Sequence, residues 1–492
     1  VSSPGATATR SAVALGLFAF CLGAWGIWRP SFWYDEVATV YASRRSWADL
    51  VDLLRNTDAA HGVYYAAMHL WGSVFGFSEL STRLPSALAI GVAAAGVVVL
   101  GNLLATARVG VFAGIVFAVL PRATWAATEA RSYALTAALA VWLTVVLLIA
   151  GTRWWWWIVY GAVLAASIVL FVYLATLVVV HLVVVLVRRR DVVLPWAVSA
   201  AVAGAIALPF VKVVVGQVAL LSWIPPLDRD FPRVLGEYQY FLGAPWFAVI
   251  FLLILVVMRP DRRVLAVAVP WILVPAIIIA VYSIMKSPLY LDRYFTFTTP
   301  AAALLGGAAL GRLSVHRWLP YTALGAMILA SLPAYLQQRT TTPKPLRMDF
   351  SLVNGYMSSH MGVGDCVLFG RAAWNPSSMR LVEDVDPSAF AGTRSIGLAK
   401  DAASSGQLWD DELPVADTAL DQCETVWYFT DRERAETEIV QLTSGDQWVL
   451  PPYRFESSED YGTLRQAGFH VDERVTFEMT QVVRLRHVHE NP

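Results

Sequence analysis

The sequence predicts an α-helical polytopic membrane protein carrying a C-terminal extracytoplasmic α/β domain. Three observations lead there. The chain is 57% hydrophobic and only 15% charged over 492 residues, which is not a soluble globular composition. Its apolar residues collect in runs, about eleven of which approach the length that crosses a bilayer. From about residue 340 the pattern changes to polar stretches alternating with short apolar ones, as in a small mixed domain.

The apolar runs lie at 11–28, 85–106, 109–121, 133–150, 155–172, 173–187, 193–216, 243–258, 264–284, 299–313 and 318–336. The first is long for a signal peptide, and no small-x-small cleavage site closes it, so it is read as a retained helix. Runs 109–121 and 173–187 are short and call for tilting or merging with a neighbour. Arginine decides orientation. With the N-terminus cytoplasmic, the inner connections hold Arg10, Arg108, Arg153, "RRRD" at 188–191, "RPDRR" at 259–263, Arg312 and Arg317, as the positive-inside rule asks. The outer connections, 29–84, 121–132, 217–242 and 285–298, are longer and rich in acids and aromatics. An odd helix count then puts the C-terminal part outside. The expected domains are 1–337, in the cell membrane, and 338–492, beyond it.

In the C-terminal part, "CVLFG", "RSIGLA" and "TVWYF" read as strands, and "SLVNGYMSSHM" and "DRERAETEIVQL" as helices. Cys366 and Cys423 each precede a strand-like run. A bridge between them suits an oxidising compartment, but spacing alone leaves its geometry open.

Formal net charge is zero, which gives no electrostatic support to a nucleic-acid partner. The spans are nearly free of acids and lysines, against the pattern of a transporter. The polar residues collect in the outer loops. The first, 29–84, carries Asp35 and Glu36 behind "WY", then an amphipathic helix capped by Ser46, then His61 and Tyr64 in "HGVYYAAMHLWGSVFG". The second carries Glu129, Arg131 and Tyr133; a later one carries Lys286, Asp292, Arg293 and Tyr294. Singly, each has a plain structural role: a solvated acid pair, a stacked histidine, a Glu129–Arg131 ion pair, an arginine anchored in headgroups. Gathered on one side, they favour a site for an anionic lipid head and a polar substrate. Arginine suits a lipid phosphate, and a carboxylate can take the proton of an attacking hydroxyl. Glycosyl transfer from a lipid-phosphate sugar follows. No nucleotide-sugar or Gly-rich phosphate motif accompanies it.

The ordered run of "WYDE", "HGVYYAAMHLWGSVFGFSELSTRLPSAL", "EARSYAL" and "LDRYFTFTTPAAALL" resembles the polytopic GT-C glycosyltransferases. Within them it resembles the family related to protein O-mannosyltransferases and lipid A aminoarabinose transferases, actinobacterial membrane mannosyltransferase types in particular. The resemblance covers roughly the first 335 residues. It implies inverting transfer of a sugar, mannose first and arabinofuranose second, from a polyprenyl-phosphate carrier to an extracytoplasmic lipid, glycan or protein. It makes Asp35 the catalytic base and Glu36 its helper. His61, Tyr64, Glu129, Arg131, Tyr133, Lys286, Arg293 and Tyr294 are the expected substrate and carrier contacts. Arg293 leads for the phosphate, with Arg131 and Lys286 as competitors. Relatives often carry "KPP" or "HPP" where this chain has "AHGVYY", which keeps His61 and loses the prolines. No metal ligand and no cofactor is assigned, a divalent cation being left open. The competing functions are a transporter or flippase for lipid-linked sugars and a non-catalytic envelope scaffold.

Overall fold

The computed structural model describes residues 6–313, 316–373, 378–441 and 447–488. Each apolar run is helical. In order, the first eleven helices are α1 (Ala6–Ala24), α2 (Tyr34–Arg44), α3 (Trp47–Asn56), α4 (Gly62–Phe75), α5 (Glu79–Leu104), α6 (Ala107–Val119), α7 (Pro121–Ala126), α8 (Tyr133–Ala150), α9 (Trp156–Leu170), α10 (Thr176–Arg188) and α11 (Val193–Gly216). Four apolar helices follow: Pro245–Val257, Arg262–Met285, Thr299–Arg312 and Leu319–Gln337. The chain is thus a polytopic helical protein.

Among the described residues, five helices are long and apolar enough to cross a membrane by themselves: Glu79–Leu104, Tyr133–Ala150, Arg190–Gly216, Arg262–Met285 and Leu319–Gln337. Other runs make shorter helices, and protein encloses some of them. Thr299–Arg312 buries every residue from Thr299 to Leu310, so neighbouring helices, not lipid, surround it. The run expected as one span at 243–258 is the second arm of a pair, Phe231–Phe241 and Pro245–Val257, bent by 95°. Leu242 (φ 47°) and Gly243 (φ 73°) both take left-handed backbone at the corner, which is costly for leucine and easy for glycine.

Small residues let these helices approach closely. A Cβ on Gly307 would lie 2.3 Å from the Ala113 amide nitrogen, and one on Gly110 2.4 Å from the Val98 carbonyl oxygen. The α6 backbone is therefore in contact with α5 on one side and with Thr299–Arg312 on the other.

The first loop is largely helical. Ser46 caps α3 by accepting from the Asp49 amide, as its position foretold. Apolar side chains in and just before α2 pack against the C-terminal part. Phe32, Trp33, Val37 and Val40 join Met348, Phe350, Val367, Phe369, Trp427, Phe429 and Val482 in one core. The first loop and the C-terminal sheet thus share a hydrophobic core.

The strands are β1 (Cys366–Phe369), β2 (Arg394–Ser395), β3 (Leu398–Lys400), β4 (Asp411–Glu412), β5 (Thr425–Asp431), β6 (Glu438–Gln441), β7 (Gln447–Leu450), β8 (Phe469–Thr476) and β9 (Thr480–His487). A five-stranded sheet runs β2-β1-β5-β9-β8. β1 is parallel to β2 and β5, and β9 is antiparallel to β5 and β8. Alternate residues face opposite sides: Val367, Trp427 and Val482 meet α2, while Cys366, Val426 and Leu485 line a second core. Cys366 and Cys423 are bridged in that second core, their Cα atoms 5.9 Å apart. "SLVNGYMSSHM" forms the expected helix, Phe350–Met357. "DRERAETEIVQL" does not. Its end is β6, paired antiparallel with β7, and Arg434 pairs with Asp431 and bridges to Tyr453. Pairing to residues farther along the chain overrides the helix propensity of its Glu and Arg residues.

Candidate active site

The α2 helix starts at Tyr34, so Asp35 and Glu36 occupy its first turn, where the helix dipole favours carboxylates. Successive residues on a helix point about 100° apart, and here that separates the two acids. The Glu36 side chain is fully buried. It accepts from Arg83 Nε at 2.7 Å and Nη2 at 2.6 Å and from the Ala130 amide at 2.8 Å. Burial alone would raise its carboxyl; Arg83, then Lys344, hold it below the ordinary range instead. Glu36 therefore supports the turn from behind.

Asp35 faces the other way. Its side chain is 13% exposed. Oδ2 lies 3.6 Å from Arg293 Nη2, and Oδ1 lies 3.9 Å from Arg131 Nη2. Both separations exceed hydrogen-bond length, and none of the hydrogen bonds among the described residues reaches this carboxylate. Arg131 is steadied by the Tyr65 hydroxyl at 2.9 Å, which donates to Asp58 at 2.5 Å. Arg293 lies 5.7 Å from each of the Trp33, Trp223 and Tyr294 rings. Tyr294 packs on Tyr133, Phe171 and Tyr173. His61 is buried against Tyr65 and Phe171. Burial, then the Arg131 charge, pushes its imidazole well below the ordinary value, so it is neutral. Four buried polar atoms here, His61 Nδ1, Tyr133 Oη, Arg131 Nε and Arg293 Nε, have no hydrogen-bond partner among the described residues. Tyr64 is buried on α4 beside this group.

Of the residues expected from sequence, Asp35, His61, Arg131, Tyr133, Arg293 and Tyr294 come together. Glu129 sits behind them. It is fully buried, accepts from Trp33 Nε1 at 2.9 Å and is bonded to Lys344, so it does not form the simple pair with Arg131. Burial pushes its carboxyl up to about 7 against the pull of Lys344. Lys286 ends its helix exposed, and none of the ion pairs among the described residues joins it to Asp35. Asp292 does not orient Arg293, because it pairs with buried Arg122. Arg83, Arg122 and Lys344 escaped the sequence reading. The first two lie just beyond the expected run boundaries, at 85 and 121, inside or against helices. An arginine in so apolar a setting requires a partner acid, and that was the available signal. Among the described residues, no three His, Cys, Asp or Glu side chains come together to hold a metal ion, and the neighbours of Asp35 are guanidinium groups, so the donor set does not fit a divalent cation.

No protein-family model and no curated protein matches the chain by sequence. Solved structures do match by shape. ArnT from Cupriavidus metallidurans bound to undecaprenyl phosphate is 14% identical, covers 96% of this chain and 97% of its own, and has a TM-score of 0.57. Its apo form is 15% identical over 97% of this chain and 98% of its own, with a TM-score of 0.58. The arabinofuranosyltransferase AftD from Mycobacteria is 14% identical with a TM-score of 0.54, and matches all of this chain over 40% of its own length. The chain has the polytopic helical fold of ArnT and AftD, with a C-terminal sheet domain.

Proposed function

We propose that this protein is a membrane glycosyltransferase that moves a sugar from a polyprenyl-phosphate carrier to an extracytoplasmic lipid, glycan or protein, with inversion. One observation carries the reading: a nearly buried carboxylate with no hydrogen bond among the described residues, flanked by two guanidinium groups at 3.6 and 3.9 Å. Two fixed cations against one acid leave the front of the site positive, which suits a phosphate ester. Asp35 takes the proton as the acceptor hydroxyl attacks the anomeric carbon. The new carbon–oxygen bond forms on the face opposite the phosphate, and the bond to the phosphate breaks. Arg293, with Arg131, offsets the charge growing on that leaving group. Tyr133 and neutral His61 offer donors to the sugar or phosphate. Tyr294 and its aromatic neighbours give the sugar or isoprenoid a flat wall.

Mannose is the first choice of sugar. Arabinofuranose is the second, favoured by the match of the whole chain to AftD. The same reading puts the N-terminus in the cytoplasm and the C-terminal domain outside. With Cys21 replaced and the disulfide intact, Ser404→Cys labels with an impermeant thiol reagent in intact cells; labelling only after lysis reverses the orientation.

The function is tested with purified full-length protein, polyprenyl-phosphate mannose or arabinofuranose carrying a radiolabel, and envelope acceptors. Label moves to the acceptor with one of the two donors. Failure with both, together with carrier movement across protein-containing vesicles, would establish the flippase reading instead.

A further inference from the structure

We propose that Lys344 is a positioning residue for Asp35, a cation supplied by the head of the C-terminal domain to the acidic layer behind the site. The inference rests on the glycosyl-transfer role of Asp35.

Lys344 lies in "TTPKPLR", a stretch with the composition of a linker. Linker lysines are ordinarily exposed, yet this one is 5% exposed. Its ammonium donates to the Thr128 carbonyl at 2.8 Å, is bonded to Glu129, and lies 3.9 Å from Glu36 Oε2. The layer holds two fully buried carboxylates, Glu36 and Glu129, and two buried cations, Arg83 and Lys344. With both acids ionised, its charge balances only with Lys344 in place. Arg83 cannot serve both acids. Its Nε and Nη2 hold Glu36, and its Nη1 donates to the Ile27 and Pro30 carbonyls at 2.7 Å each. Glu129 therefore depends on Lys344.

Both carboxylates grip the segment that carries Asp35. Glu36 is its next residue. Trp33, two residues before it, donates from Nε1 to Glu129, and the Trp33 ring lies against Arg293. A net negative charge in this layer would pull on both sides of Asp35 and on the guanidinium beside it. The ionisable groups facing Glu129 are Lys344, Glu36, Arg83, Tyr64 and Tyr133. Lys344 is the only one of them whose removal leaves Glu129 without an ion pair.

The consequence is pH-dependent. A raised carboxyl makes the folded protein keep a proton that the unfolded chain has lost. Folded-state stability therefore falls as pH rises from the ordinary carboxylate range through about 7. Lys344 limits that fall. Without it, Glu129 keeps its proton to still higher pH, and ionising it disorders the segment.

Lys344→Met, Lys344→Arg, Glu129→Gln and the double variant Lys344→Met/Glu129→Gln are compared in full-length protein, with transfer and melting temperature followed from the acid to the alkaline side of Glu129. Lys344→Met should lose ~10-fold or more of kcat on the alkaline side, on the scale of an unpaired buried charge, and recover toward acid. Lys344→Arg should keep the wild-type profile. The double variant should regain most of the loss at every pH, because it removes the excess charge. A uniform loss in Lys344→Met with an unshifted profile, or a double variant no better than Lys344→Met, would overturn the proposal. Absence of transfer by the wild type overturns the glycosyl-transfer reading alone; melting then decides on Lys344. Its methionine variant should melt lower as pH rises, and the double variant should not.

Discussion

Replacing Arg83 by methionine removes five hydrogen bonds from the floor of the first loop. Two go to Glu36 at 2.7 and 2.6 Å; the others reach the carbonyls of Ile27, Pro30 and Ser31. The bonds to a charged partner contribute ~1.5–3 kcal/mol each. What remains around Glu36 is the Ala130 amide and, at 3.9 Å, Lys344. Breaking a buried pair from one side costs ~3–5 kcal/mol, and Arg83→Met falls in that range because methionine still fills the space of the stem. The assay is thermal melting of purified protein in detergent. The single variant should melt well below wild type. Arg83→Met/Glu36→Leu should recover much of the loss, less the ~1–3 kcal/mol for the Ala130 amide left unpaired. A single variant that melts with the wild type, or a double variant that melts below the single, would refute the claim that this pair holds the turn that carries Asp35.

Other changes act elsewhere. Removing the Cys366–Cys423 bridge, whose cysteines are 57 residues apart, should lower the stability of the C-terminal domain by up to about 4 kcal/mol on chain entropy, read by denaturant unfolding with and without reductant. Gly307→Ala puts a methyl 2.3 Å from the Ala113 amide nitrogen, and overpacking of ~1–3 kcal/mol should lower the melting temperature; an unchanged value would mean the helices slide apart freely. Arg293→Ala should weaken apparent affinity for the polyprenyl-phosphate donor and slow transfer, and Arg293→Lys should restore only part because the planar fork is lost. Unchanged affinity in both variants would move the phosphate contact to Arg131.

The front of the site was legible because it is made of local signals. Asp35, Arg131 and Arg293 each sit in a loop beside an apolar run, and the arginine asymmetry of the sequence predicts those loops on one side. The back was not legible, because it is made of partners remote in sequence. Glu36 meets Arg83 across 47 positions and Glu129 meets Lys344 across 215. No periodicity encodes such pairs. Helix boundaries failed for the same reason. Arg83 looked like the edge of a span, but a buried carboxylate lets α5 begin at Glu79 and carry an arginine inside the protein. The expected helix at "DRERAETEIVQL" failed through pairing with β7, to which local propensity is blind.

The most direct measurement is sugar transfer by Asp35→Asn. Asparagine keeps the size of the side chain and removes the base; melting is measured alongside, because the substitution also takes the counter-charge from Arg131 and Arg293. Transfer from the polyprenyl-phosphate donor should fall ~10²–10⁴-fold, the range for loss of a general base. Near-normal turnover by a folded Asp35→Asn protein would contradict the account.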